Sequence, residues 1–257
     1  MASFPIEIVV PVHDEEEAIG RTISEFIAAA ERWALDIEIL VAEDGSSDRT
    51  RAVVAEIAER SHGRVRLTPP SRRKGYSRAV ADACRLTQRE VLVFCDGDGQ
   101  YDPDDLPKLL DALSARTVVA GARSPRRDSR ARMLASRAFG LAYRVLIGLR
   151  LQDPSSPFVA AFRSDALSVL PPAPLLSQGF WWELFARADA GGLRIVEVPV
   201  AHRPRDKGTT QVYRLSRLPQ IALAHLAGLV KLRFELRHAP AEHGAVQRPP
   251  TSVVKPR

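Results

Sequence analysis

Two aspartates and a glutamine, Asp96, Asp98 and Gln100, stand two residues apart in the segment Cys95-Asp-Gly-Asp-Gly-Gln-Tyr101. On an extended segment, side chains two apart emerge on the same side. Two carboxylates and an amide oxygen are hard ligands, suited to Mg²⁺ or Mn²⁺ with phosphate oxygens completing the shell. Two close carboxylates also repel each other unless a cation lies between them. Gly97 and Gly99 keep bulk away and let the backbone approach a ligand. A calcium loop is the competing metal reading, but the further ligands and closing glutamate of an EF-hand are missing. A plain turn is the structural alternative.

Two more polar clusters follow apolar runs: Pro11-Val-His-Asp-Glu-Glu16 and Ala42-Glu-Asp-Gly-Ser-Ser-Asp48. The second is a good turn and helix cap in its own right, with Ser47 as the cap and Asp48 in the first turn.

The elements that must position these clusters read as alternating strands and helices. Strands are expected at Ile6–Val12, Ile37–Ala42, Val65–Leu67, Glu90–Cys95 and Thr117–Ala120. Helices are expected at Glu15–Trp33, after Ser47, across Ser77–Leu86 and from Pro103 onward. This order predicts an α/β fold with a doubly wound, mainly parallel sheet covered by helices on both faces. In such a sheet ligands bind beyond the carboxyl ends of the strands, where all three clusters fall. Further on, residues 131–150 and Phe180–Ala190 read as helices, and Phe158–Arg163 and Arg194–Val200 as strands. Leu218–Leu236 reads as an amphipathic helix, with Leu218, Leu223, Leu226, Leu229, Val230, Phe234 and Leu236 on a wide apolar arc. Such an arc suits a helix in a membrane interface or one packed on the domain. The expected organisation is a domain over 1–215, this helix over 216–238, and a disordered tail over 239–257 with four prolines.

The 257 residues are 45% apolar and 26% charged, which excludes wholesale disorder and fibrous repeats. Two cysteines, Cys84 and Cys95, exclude a disulfide framework or four-cysteine zinc site and fit a reducing compartment. The start of the sequence lacks the pattern of a signal peptide, and no run is long and apolar enough for a bilayer span, so a cytoplasmic protein without a membrane-embedded part is expected. Net charge is +6, yet residues 1–60 hold fourteen acids against five arginines. Residues 121–150 hold eight arginines and one acid. That stretch suits an anionic partner such as phosphate or a membrane surface, or is simply a solvated face. No RNA-reading motif or aromatic-interleaved basic stretch points to nucleic acid.

Taken in order, Pro11-Val-His-Asp-Glu15, Ala42-Glu-Asp-Gly-Ser-Ser-Asp-Arg-Thr50, Lys74-Gly75, Asp96-Gly-Asp-Gly-Gln100 and Arg205-Asp-Lys-Gly-Thr-Thr210 resemble the family 2 glycosyltransferases. Within them the chain is most similar to the polyprenyl-phosphate (dolichyl-phosphate) mannosyltransferase branch, over roughly residues 5–215. The resemblance implies a GT-A fold that binds a nucleoside diphosphate sugar, GDP-mannose by this branch, and Mg²⁺ or Mn²⁺. It assigns Pro11, Val12, His13, Glu15, Asp44 and Lys74 to the nucleotide, with Asp96 and Asp98. Asp96, Asp98 and Gln100 take the metal, and Asp98 and Arg205 the chemistry. Arg123, Arg132 and Ser136 take the acceptor phosphate, the last two four apart on one helix face. The implied partner is a polyprenyl phosphate, reached from the inner face of a membrane by a peripheral enzyme.

The sequence departs from the family in two places. His13-Asp14-Glu15 stands where asparagine usually precedes the glutamate, and Thr210-Gln211 where serine and a basic residue usually end the last motif. Other readings are a UDP-glucose or UDP-GlcNAc donor, or a hydroxyl acceptor, which would need a base such as Glu183 or Asp153. A sugar-nucleotide-forming nucleotidyltransferase would want a basic glycine-rich loop after the first strand, where this chain has acids. A degenerate scaffold would have no use for an intact Asp96-Gly-Asp-Gly-Gln100.

Overall fold

The computed structural model describes residues 4–124, 130–177, 179–204 and 218–238, with the backbone alone for 130–135, 137 and 218–222. The chain runs β1 (Ile6–Val12), α1 (Ile19–Arg32), β2 (Ile37–Glu43), α2 (Thr50–Arg60), β3 (Val65–Leu67), α3 (Tyr76–Leu86) and β4 (Val91–Phe94). A 3₁₀ turn at Pro103–Asp105 then leads into α4 (Leu106–Asp111), β5 (Thr117–Arg123), α5 (Arg130–Ile147), β6 (Val159–Phe162) and α6 (Arg163–Ser168). The last elements are α7 (Phe180–Ala190), β7 (Arg194–Val200) and α8 (Leu218–His238).

The strands form one sheet in the order β3-β2-β1-β4-β6-β5-β7. β1 lies parallel to β2 and β4, and β7 parallel to β5, while β6 is antiparallel to both β4 and β5. The carboxyl ends of β1, β2, β4, β5 and β7 therefore share one edge with the amino end of β6. Strand order reverses direction between β1 and β4, and the crevice that opens there is where a doubly wound sheet takes ligands.

Both faces of the sheet are covered, which is why the strands read as continuous apolar runs. Ile8, Val10, Ile39, Val41, Val91 and Val93 pack with Ile19, Ile23 and Phe26 of α1 and Leu106 and Leu109 of α4. Val9, Leu40, Leu92 and Phe94 face the other way, onto Val80 and Cys84 of α3, Trp181 and Phe185 of α7 and Leu229 and Leu232 of α8. Pro11 sits in an interior strand without breaking it. The β1–β4 ladder ends at Val9 and Phe94, so the missing N–H falls where β1 has no neighbour on that side.

Local chemistry moved several expected boundaries. The first helix begins at Ile19 rather than Glu15, because the backbone N–H groups of Glu15 and Glu16 donate to Thr50 Oγ1 and Asp48 Oδ2. Ser47 does not cap α2: its N–H and hydroxyl donate to Asp14, while Asp48 Oδ1 accepts from the Thr50 N–H as the helix begins. The fifth strand extends to Arg123, beyond the expected Ala120, because β7 pairs along its whole length.

The apolar arc of α8 is split. Leu229 and Leu232 are fully buried against the domain, whereas Leu223, Leu226, Val230 and Phe234 are 68%, 44%, 53% and 66% exposed. On α5, against which α8 packs, Leu141 and Val145 are also exposed. Among the described residues, no helix is long and apolar enough to cross a membrane.

Candidate functional site

The turn after β1 is built against the turn after β2. Asp44 N–H donates to the Val12 carbonyl (3.0 Å), and His13 Nδ1 lies 3.1 Å from the Asp44 carbonyl. Asp14 has φ 54°, in the left-handed region where asparagine and aspartate are the favoured non-glycine residues. The aspartate standing where the family usually has asparagine is thus a conformational equivalent. Its Oδ1 accepts from the Ser47 N–H at 2.7 Å. Burial opposes ionisation of Asp14, but the Ser47 hydrogen bonds and the His13 charge outweigh it and hold the carboxyl below its usual range. Pro11 and Val12 are buried in the strand, and the Val12 side chain joins the core beside Ile19.

Asp44 uses its whole carboxylate on the loop before α3: Oδ1 accepts from Lys74 N–H and Oδ2 from Gly75 N–H, each at 2.8 Å. The Lys74 ammonium pairs with Asp82 at 2.6 Å. Asp44 and Lys74, expected at the nucleotide, therefore also fix the wall of the crevice.

At the end of β4 the segment 95–101 crosses the switch point. Gly97 is required by packing: a Cβ there would stand 2.4 Å from Val12 Cγ1 and 3.2 Å from Ile19 Cδ1. Its role is close contact with β1 and α1, where the sequence suggested room for a ligand. Asp98 Oδ1 accepts from the Gln100 N–H, and Asp96 Oδ1 accepts from the Tyr76 hydroxyl at 2.9 Å. Among the described residues, neither aspartate has a donor on Oδ2. Burial pushes the Asp96 carboxyl up to about 7, and the charge of Asp98, with that of Glu15, adds to it, against the Tyr76 hydrogen bond and Arg123.

Two close carboxylates that resist joint ionisation, each with an uncommitted oxygen, are a donor set that a divalent cation fits. Among the described residues no cluster of three or more His, Cys, Asp or Glu could hold a metal alone. The set suits an ion whose remaining ligands come from a bound diphosphate and water. Gln100 donates its side-chain N–H to the Arg203 carbonyl (3.2 Å), and Arg203 N–H donates back to the Gln100 carbonyl (2.7 Å). That tie, with the Tyr101–His202 bridge, holds the end of β7 against the aspartate segment.

At the end of β5, Arg123 is gripped by Asp153: Nε to Oδ2 at 2.6 Å and Nη2 to Oδ1 at 2.8 Å, with Nη2 also on Ser155 Oγ. Glu197 of β7 accepts from the Gln152 and Asp153 N–H groups and fixes that loop. Glu183 is fully buried, accepts from the Leu175 and Leu176 N–H groups and pairs with Arg187. Both candidate bases are thus committed to structural ion pairs. Arg132 and Ser136 share α5, but the Arg132 side chain, and Arg205 with the whole 205–217 segment and the tail from 239, lie outside the described residues. Sequence reasoning missed Tyr76, Trp181 and Arg203. Only the Lys74-Gly75 turn beside it could have flagged Tyr76.

Comparison with known proteins agrees with this architecture. The "Glycosyl transferase family 2" model matches residues 7–170, more than half of the chain. The undecaprenyl-phosphate 4-deoxy-4-formamido-L-arabinose transferase of Edwardsiella ictaluri is 27% identical over 221 residues, 83% of this chain, which spans 64% of that relative's length. The dodecaprenyl-phosphate galacturonate synthase of Rhizobium johnstonii is 24% identical over 91% of this chain and 69% of its own. Among solved structures, glucosyl-3-phosphoglycerate synthase from Mycobacterium tuberculosis, in complex with Mn²⁺, UDP and phosphoglyceric acid, superposes with TM-score 0.65 at 23% identity, covering 90% of this chain and 79% of that one. Mannosyl-3-phosphoglycerate synthase from Rubrobacter xylanophilus gives 0.66 at 20% identity, covering 92% and 77%. With its GT-A-type sheet, its aspartate segment at the switch point and this family match, the chain belongs to glycosyl transferase family 2.

Proposed function

We propose that the protein is an inverting, metal-dependent glycosyltransferase that moves a sugar from a nucleoside diphosphate to a polyprenyl phosphate. The observation that carries the reading is the Asp96/Asp98 pair at the switch point, with one carboxyl driven up to about 7 by burial and its neighbour's charge. The carboxylates of Asp96 and Asp98, with the Gln100 amide oxygen, would hold Mg²⁺ or Mn²⁺. The bound ion would offset the charge that grows on the departing diphosphate. His13, Glu15 and Asp44 line the nucleotide side, and Arg205 would close over the phosphates. Arg123, Arg132 and Ser136 are the residues that the resemblance assigns to the acceptor phosphate.

A lipid phosphate oxygen is already anionic near neutral pH and attacks the anomeric carbon without a general base. The new O–C1 bond forms as the C1–O bond to the diphosphate breaks, and a single displacement inverts C1. The commitment of Glu183 to Arg187 and of Asp153 to Arg123 supports an acceptor of this kind over a hydroxyl. The names of the two relatives, which act on undecaprenyl and dodecaprenyl phosphate, support it as well.

GDP-mannose is the donor implied by the sequence resemblance. A UDP-sugar is the second reading, favoured by the UDP and UDP-glucose bound in the structural neighbours. The exposed apolar stripe of α8, beside Leu141 and Val145 of α5 and flanked by the exposed Lys231 and Arg237, would rest on the cytoplasmic face of an anionic membrane.

The test is transfer of labelled sugar from GDP-mannose, UDP-glucose, UDP-GlcNAc and UDP-galacturonate to a short polyprenyl phosphate, with Mn²⁺ and with chelator. An organic-phase product that requires metal and disappears in Asp98→Asn establishes the reaction and names the donor. Metal-dependent hydrolysis of a donor without lipid product would overturn the acceptor.

A further inference from the structure

Tyr76 opens α3 directly after the Lys74-Gly75 turn that the Asp44 carboxylate holds. Its phenol oxygen sits between two groups: Trp181 Nε1 at 2.9 Å and Asp96 Oδ1 at 2.9 Å. An indole N–H can only donate, so Trp181 takes the phenol oxygen as acceptor, and a carboxylate oxygen can only accept. With Asp96 ionised, as a metal ligand is, the phenol proton goes to its Oδ1. We infer that Tyr76 is a positioning residue for the cation site, its O–H, directed by Trp181, holding Asp96 in the rotamer that leaves Oδ2 for the metal.

The surroundings fit a rigid support. Trp181 is wedged edge-on against Phe94, two residues before Asp96, and against Phe180. Ser77, next to Tyr76, donates to the Leu176 carbonyl at 2.6 Å, tying α3 to the loop before α7. A carboxylate that ligates a metal through one oxygen is usually oriented by a hydrogen bond to the other, and loss of such a partner typically weakens metal affinity about 10- to 100-fold.

The inference rests on the metal-dependent reading proposed above, and the experiment separates the two. Mn²⁺ binding to the full chain is measured by electron paramagnetic resonance in the presence of UDP or GDP, for wild type, Asp98→Asn, Tyr76→Phe and Trp181→Phe. Wild-type binding that Asp98→Asn abolishes supports the metal site. Tyr76→Phe is then expected to weaken Mn²⁺ about 10-fold or more, and Trp181→Phe by a smaller factor, with nucleotide affinity in the absence of metal unchanged. Equal Mn²⁺ affinity in folded Tyr76→Phe, or in Trp181→Phe should the first variant fail to fold, overturns the role of Tyr76. No Mn²⁺ binding in the wild type overturns the metal reading itself, and this inference with it.

Discussion

Replacing Asp153 by alanine tests whether the Arg123 charge is held by the fold. The pair is shielded from water, the two side chains being 11% and 2% exposed, and it is a two-point fork closed by Ser155. Two unit charges roughly 4 Å apart at an effective dielectric of about 20 attract by about 4 kcal/mol. Removing one partner of a buried pair typically destabilises by about 3–5 kcal/mol, because the other charge is left without compensation. At roughly 2–4 °C per kcal/mol for a chain of this size, Tm should fall by roughly 6–20 °C. Urea unfolding followed by tryptophan fluorescence gives the number. Arg123→Met should be comparably damaging, and Arg123→Met with Asp153→Ala less damaging than the sum, since the double variant leaves neither member of the pair behind. An Asp153→Ala protein within about 1 kcal/mol of wild type, below the range for a broken buried pair, or strict additivity in the cycle, would refute the assignment of Arg123 to Asp153.

Three further outcomes follow from the packing and the titrating groups. Gly97→Ala drives a Cβ into Val12 and should cost about 1–3 kcal/mol. It should weaken Mn²⁺ binding as the aspartates shift, so unchanged Tm and metal affinity would contradict the close contact. His225 is lowered by burial, with its Nε2 lacking a partner among the described residues, so as pH falls below about 6.5 the unfolded chain takes a proton that the folded chain refuses. Stability should therefore decline from pH 7 to 5, and His225→Leu should flatten that slope in urea midpoints; parallel curves would refute it. Cys84 is pushed by burial to about 12 and Cys95 well above its usual value, so a thiol reagent at pH 8 should label neither until urea unfolds the chain. Labelling of the folded protein would show that one of the two is accessible.

Much of this molecule is legible in one dimension. Strands buried on both faces must be nearly continuous apolar runs, so Ile6–Val12 and Ile37–Glu43 announce themselves, and a helix period must repeat, as Ile19, Ile23 and Phe26 do. The three polar clusters are local too, because each is a short segment leaving a strand, and a parallel sheet brings all such ends to one edge. Their order along the chain carried the family. What stayed hidden depends on pairs far apart in sequence. The antiparallel β6 between β4 and β5 is decided by strand neighbours rather than by its own residues. Arg123 meets Asp153 where β7, through Glu197, holds the loop that carries Asp153. Gly97 looked like an opening for a ligand, and tertiary contact made it a packing requirement. The sequence supplied which residue types stand at the crevice, since composition and spacing are written in it. Which of their oxygens are already engaged, as with Tyr76 and Trp181 lying 105 residues apart, only the folded chain decided, because a hydrogen bond is a matter of distance in space.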